Sequence, residues 1–209
     1  MLIIGDIHGK TMEYLQLIKR YPEETSVQLG DFGWGFLSPT ATPKFPENAW
    51  FIRGNHDSPQ AARSSKNYLG DYGITEIDGW KVFYLSGAWS IDYAYRIVGR
   101  SWWPDEQLSE IELEAAKELY VREKPEIVLT HDGPEQISRP LIQARGGMIH
   151  KPYLPTRTSD ALTQMFTAHQ PKRWLFGHWH FSFEKIVEDT HFTCLPELGY
   201  DILPKKGQG

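Results

Sequence analysis

The chain has 209 residues, 40% hydrophobic and 23% charged, a balance that suits a globular protein and excludes a disordered or fibrous one. Its formal net charge of -5 supplies no general basic field for capturing nucleic acid, although a local basic groove is compatible with it. The single cysteine, Cys194, excludes an intramolecular disulfide and thiolate-rich zinc sites, and it fits a reducing compartment.

Residues 2–5 form a short apolar run that predicts a buried strand. No basic stretch precedes it and the run turns polar at Asp6, so neither a signal peptide nor a membrane span is expected, and the cytoplasm is the expected location. Met12, Leu15, Leu17 and Ile18 recur at helical spacing up to Arg20, and Pro22 ends the pattern. Two further short strands are predicted at 27–29 and 50–52, each leading straight into a polar cluster, as in α/β sheets whose chemistry sits at strand ends. Residues 74–77 and 80–85 flank Asp78-Gly79, a dipeptide that supplies the positive φ angles of a hairpin turn. The segment from Gly99 to Asp105 carries Trp102 and Trp103; they read either as buried indoles pinning a loop or as rings stacking on a substrate, with Arg96 or Arg100 touching its phosphate.

Ser109 and Glu112 have capping-box spacing, and Leu113, Ala116, Leu119 and Tyr120 give the following helix one apolar face as far as Pro125. A buried strand at 127–129, a helix fragment at 162–166, a strand at 174–176 and a hairpin of 181–187 with 192–195 complete the pattern. Residues 132–159 show prolines, Gly146-Gly147 and little periodicity, so a long loop is expected. Arg139, Arg145, His150, Lys151 and Arg157 make it locally basic, either as a solvated surface or as a substrate-binding one. The tail from Lys205 reads as frayed. These elements predict one domain, 1–209, of mixed parallel and antiparallel sheets with helices outside.

Five polar clusters follow predicted strands: Gly5-Asp6-Ile7-His8-Gly9, Gly30-Asp31, Gly54-Asn55-His56-Asp57, Thr130-His131-Asp132 and Gly177-His178-Trp179-His180. Imidazole, carboxylate and amide oxygen without sulfur form a donor set for manganese, iron, zinc or nickel. Glycine beside a ligand lets the backbone turn off the strand, so that short side chains converge. Gly5 to Thr11 also reads as a shortened P-loop, but three residues stand between its glycines where that loop needs four.

In this order the clusters resemble the calcineurin-like metallophosphoesterases, whose pattern is D-x-H, G-D, G-N-H-[DE], H and G-H-x-H, over the span from Asp6 to His180. The resemblance implies a four-layer αββα sandwich, an α/β fold of two mixed sheets flanked by helices. It further implies two divalent or trivalent metal ions, manganese first among them: Asp6, His8 and His180 on one, Asn55, His131 and His178 on the other, and Asp31 bridging both. Two metals about 3.5–4 Å apart clamp the attacking and leaving oxygens and generate hydroxide near neutral pH. His56 is implied to remain unligated, as a general acid or as a partner of the phosphate. The expected substrate is a small or medium phosphate ester; a nuclease or cyclic-nucleotide phosphodiesterase is the nearest rival, and a non-catalytic scaffold is disfavoured by the intact ligand set.

The second cluster departs from the G-D-x-x-D-R-G of many relatives, reading Gly30-Asp31-Phe32-Gly33-Trp34-Gly35. This argues against the protein Ser/Thr phosphatase and diadenosine-tetraphosphatase branches and leaves the orienter of His56 unassigned. Arg53 is one candidate for the missing cation, with a structural salt bridge as its other reading. Arg53, Arg100 and Trp102 are thus the candidate substrate contacts.

Overall fold

The computed structural model describes residues 1–35, 45–144 and 156–208. Strands β1 (Leu2–Ile4), β2 (Ser26–Leu29) and β3 (Ala49–Ile52) are four residues or shorter and almost wholly buried. They pair in parallel, and β10 (Tyr200–Ile202) adds an antiparallel edge beyond β1. The second sheet contains β4 (Tyr72–Ile77), β5 (Trp80–Leu85), β6 (Ile127–Thr130), β7 (Arg173–Phe176), β8 (Phe183–Val187) and β9 (Thr190–Cys194). Its order is β4-β5-β6-β7-β9-β8, with β5, β6, β7 and β9 parallel and antiparallel hairpins at both ends.

The period-two alternation of these strands divides their side chains between layers. Ile3, Val27, Leu29 and Ile52 of the first sheet meet Val82, Ile127, Leu129 and Leu175 of the second in the central layer. Leu2, Ile4 and Phe51 turn outward against Tyr14, Leu17 and Ile18 of α1 (Thr11–Arg20) and Ala62 of α2 (Pro59–Arg63). Phe83, Val128, Trp174 and Phe192 turn the other way, against α3 (Glu110–Glu123) and α5 (Arg157–Ala168). The result is the expected helix-sheet-sheet-helix sandwich. Ser109 and Glu112 form their capping box at the start of α3, and Asp78 and Gly79 take φ of 52° and 81° in the hairpin turn.

Four expectations need correction. The buried face of α1 is Tyr14, Leu17 and Ile18, while Met12 is exposed, because helix packing follows i, i+3, i+4 from Tyr14. Residues 132–159 are not one loop: α4 (Glu135–Ala144) follows Pro134, and α5 begins at Arg157 behind a Thr156–Ser159 capping box. Pro140 lies inside α4, giving up one helix hydrogen bond without ending the helix. Of the basic residues there, Arg139 is paired with Glu135 and Arg157 donates to the Leu108 carbonyl at 2.8 Å; Arg145, His150 and Lys151 lie outside the described residues. The tail is anchored as far as Lys206, whose N–H donates to Asp78 O at 3.0 Å and whose ammonium pairs with Glu126 at 2.5 Å.

No helix among the described residues is long and apolar enough to cross a membrane.

Candidate metal centre

Each polar cluster leaves the carboxyl end of a parallel strand, so β1, β2 and β3 on one sheet and β6 and β7 on the other deliver their residues to the same edge of the sandwich. Turning sharply off those strands requires unusual backbone: His8, Asp31, His178 and His180 have φ of 48°, 55°, 66° and 55°. Left-handed backbone in residues other than glycine costs on the order of 1–3 kcal/mol each and persists only where the surroundings impose it. Space is equally constrained. A Cβ on Gly54 would lie 2.1 Å from Asp31 Oδ1, and one on Gly177 would lie 2.1 Å from Asp6 Oδ1.

Two overlapping groups of donors result. Those of Asp6, His8, Asp31 and His180 lie within 4.8 Å of one another, and so do those of Asp31, His131 and His178. In the first group His180 Nε2 is 2.9 Å and His8 Nε2 3.6 Å from Asp6 Oδ2, while the two imidazole nitrogens face each other at 2.8 Å. One proton at most can sit between those nitrogens, whereas a cation among all four side chains satisfies every lone pair at once; the donor set therefore fits a metal. In the second group His131 Nε2 is 3.4 Å from Asp31 Oδ1 and 3.0 Å from Asn55 Oδ1. The other ring nitrogen of His131, Nδ1, donates to the Leu29 carbonyl at 2.7 Å, which orients the ring so that Nε2 faces Asp31 and Asn55.

Electrostatics follow from burial and crowding. Burial raises the Asp6 pKa, but hydrogen bonds from His180 and His8 more than offset it and hold the carboxyl at about 2. Asp31 is likewise kept well below the usual carboxylate range, its burial outweighed by His131. The same pairing works in reverse on His131, which Asp31 raises to about 10 against burial, whereas burial and the neighbouring His131 charge push His178 down to about 3. His56 is lowered by burial first, with Asp31 opposing and the Arg96 and His8 charges adding to it.

A supporting layer surrounds these residues, much of it invisible in sequence. Asp57 accepts the backbone N–H groups of Phe32, Gly33, Trp34 and Gly54 at 2.7–3.2 Å, binding the second and third clusters together. Asn55 Nδ2 donates to Ser90 Oγ at 3.0 Å, and Glu106 accepts both the Ser90 hydroxyl at 2.5 Å and its N–H at 2.8 Å. That relay turns the Asn55 oxygen toward His131. Ser90 and Glu106 lie 16 residues apart in irregular chain, so no periodicity could have exposed them. Asp132 accepts from the indole of Trp179 at 3.0 Å and so steadies the turn between His178 and His180.

The seven sequence-derived ligand candidates thus come together, with His56 beside them, its Nε2 3.9 Å from Asp31 Oδ2. The candidate substrate contacts do not all join them. Arg53 is fully buried, pairs with Asp71 at 3.0 Å and donates to the Glu106 carbonyl at 2.6 Å, so it is a structural cation and not a substrate contact. Arg100 is exposed on a turn, and Trp102 is half-buried with its ring 6.0 Å from Tyr93. It is Arg96, not Arg100, that reaches the cluster, with Nη2 2.5 Å from His56 Nε2. His169 and His191 sit elsewhere, against the Pro125 carbonyl and Glu184.

Among solved structures, the fold is similar to a dimetal phosphatase from Danio rerio, with 12% identity, a TM-score of 0.54, and 95% of this chain and 88% of that one covered. A hypothetical protein from Thermus thermophilus is similar at 14% identity with a TM-score of 0.52, covering 95% of this chain and 75% of that one. No curated protein matches. The family model of calcineurin-like phosphoesterases matches residues 1–182, and the chain therefore belongs to that family, as a hydrolase acting on phosphate esters.

Proposed function

We propose that the centre holds two metal ions, Asp6, His8 and His180 on one, Asn55, His131 and His178 on the other, with Asp31 shared, and that it hydrolyses small or medium phosphate esters. The supporting observation is the membership of Asp31 in both donor groups; a carboxylate common to two overlapping sites is what a pair of close cations requires. Manganese is the first choice for a set of oxygen and imidazole donors, with iron, zinc or nickel as alternatives. When bound, such a pair lowers the pKa of coordinated water and neutralises charge on the phosphoryl oxygens.

The chain's own residues supply the rest. Asp31 and Asp6, held ionised, keep the cluster anionic and ready for cations. The Ser90–Glu106 relay fixes the Asn55 amide so that its oxygen, not its NH2, faces inward. Burial and its cationic neighbours lower the His56 pKa against the pull of Asp31, which favours hydrogen bonding to a phosphate oxygen over delivery of a stored proton to the leaving group. Arg139 and Arg157, which the sequence offers as a solvated or a substrate-binding surface, are engaged within the protein, and with the net charge of -5 this disfavours a nuclease. We read residues 1–209 as one such domain, working in the cytoplasm, where the buried Cys194 stays a thiol.

The test is elemental analysis of the reconstituted protein alongside turnover of monoesters, diesters and nucleotides, with and without chelator. Asp31→Asn should lose metal and activity together. A variant at this position that keeps two metals and native turnover overturns the assignment.

A further inference from the structure

The segment from Ser90 to Trp102 inverts the usual polarity of a surface loop. Ile91, Tyr93, Ile97 and Val98 are exposed and Tyr95 is 92% exposed, while the side chain of Arg96 is only 8% exposed. The guanidinium is directed at the centre, against His56 Nε2, and Asp92 Oδ1 steadies the same Nη2 at 2.6 Å. Both ends of the segment are fixed. At one end Ser90 Oγ accepts from Asn55, and at the other Gly99 N donates to the Trp102 carbonyl at 2.8 Å. Along the outer side runs a strip of rings, Trp89 to Tyr93 at 5.8 Å and Tyr93 to Trp102 at 6.0 Å between centroids.

Resting on the function proposed above, we infer that this segment is the substrate-recognition element: Arg96 grips the phosphate beside His56, and the strip of Trp89, Tyr93 and Trp102 seats an aromatic ring carried by the ester's leaving group. Three observations carry it. A guanidinium fork presents paired donors that match phosphate oxygens, and Arg96 is the arginine that touches the centre among the described residues. Its carboxylate partner, half exposed, contacts the same Nη2 that meets His56, so the guanidinium is oriented against the centre. The ring strip is continuous with the centre through Ser90, which hydrogen-bonds the candidate ligand Asn55; the organic part of an ester whose phosphate lies at Arg96 is therefore its nearest occupant, and aromatic faces favour a flat ring.

The experiment uses the metal-loaded protein and the variants Arg96→Ala, Arg96→Lys and Tyr93→Ala, with metal content by elemental analysis, inorganic phosphate binding by calorimetry, and KM for naphthyl phosphate and glycerol phosphate. Arg96→Ala should keep its metals, bind phosphate at least about tenfold more weakly and raise KM for both esters, with Lys recovering part of the loss. Tyr93→Ala should bind inorganic phosphate as the native protein does but lose the native preference for the naphthyl ester. Native phosphate affinity in Arg96→Ala overturns the role of Arg96. A native protein without that preference, or a Tyr93 variant that retains it, overturns the role of the ring strip and leaves its exposed face to a macromolecular partner. A native protein that loads two metals yet neither binds phosphate nor cleaves any ester fails at the parent reading instead.

Discussion

Replacing Gly54 or Gly177 with alanine adds one methyl group and should dismantle the centre in two distinguishable ways. Neither glycine has a left-handed φ, so the backbone accepts alanine and only space forbids it. At Gly54 the new Cβ would meet Asp31 Oδ1 at 2.1 Å, Asp31 N at 2.5 Å and His131 Cε1 at 2.7 Å; at Gly177 it would meet Asp6 Oδ1 at 2.1 Å. Ordinary contact begins at 3.4 Å, so in each case a carboxylate has to retreat by more than an ångström. Overpacking of this kind costs about 1–3 kcal/mol, or roughly 2–12 °C in Tm for a chain of this size. A displacement of an ångström at a reacting centre costs on the order of a hundredfold in rate. Gly54→Ala moves the shared carboxylate and should weaken both metals; Gly177→Ala moves Asp6 and should weaken one. Gly99→Ala is the control, since its φ of 75° brings strain but nothing lies within 4 Å of the added Cβ; it should lower Tm and leave the metals alone. Elemental analysis after dialysis against a weak chelator, paired with thermal melts and turnover, reads all three. A Gly54→Ala protein that retains two metals and native turnover would show that crowding at Asp31 does not govern the centre.

Ser90→Ala should free the Asn55 amide to rotate and weaken metal affinity by roughly 10–100-fold, measured by competition with a fluorescent chelator, and should lower Tm because the buried Glu106 carboxylate loses a donor. Arg53→Met should cost about 2 kcal/mol, discounted from the value for a fully buried pair because Asp71 is partly exposed; urea unfolding measures this, and an altered KM without lost stability would restore Arg53 as a substrate contact. His56→Ala should slow alkyl and nitrophenyl esters by similar factors while both metals remain, and a selective loss on the alkyl ester would show it to be the proton donor. In the metal-free protein the raised pKa of His131 contributes stability that is full below about 6.5 and is lost as pH rises through about 10. Melts across that window should therefore fall more steeply without metal than with it, because a metal-ligating imidazole is already neutral.

Much of this molecule was legible because its central strands include short continuous apolar runs that stop at glycine, as at Ile4-Gly5 and Phe176-Gly177. The hidden elements lack such a signature. Tyr200–Ile202 is too short and too exposed to show alternation, and α4 was masked by Pro134 and Pro140, which read as breakers. The ligand candidates were legible because each follows its strand immediately. Their supports were not: the Asn55, Ser90 and Glu106 relay is a contact between chain segments that only the packed sheets bring together. Arg53 shows the converse, a cation beside the site in sequence whose side chain folds away from it.

The placement of the donors across the two sheets has a mechanical consequence. Asp6, His8, Asp31 and Asn55 follow strands of one sheet, whereas His131, His178 and His180 follow strands of the other, so each donor group draws on both. A cation bound in either group is then a clasp across the open edge of the sandwich, closing a seam that apolar packing secures only deeper inside. Each clasp tightens with the logarithm of free metal concentration over its dissociation constant. Hydrogen exchange should therefore slow in β2 and β6 together as metal is added, even though no hydrogen-bonded strand pairing joins the two sheets among the described residues.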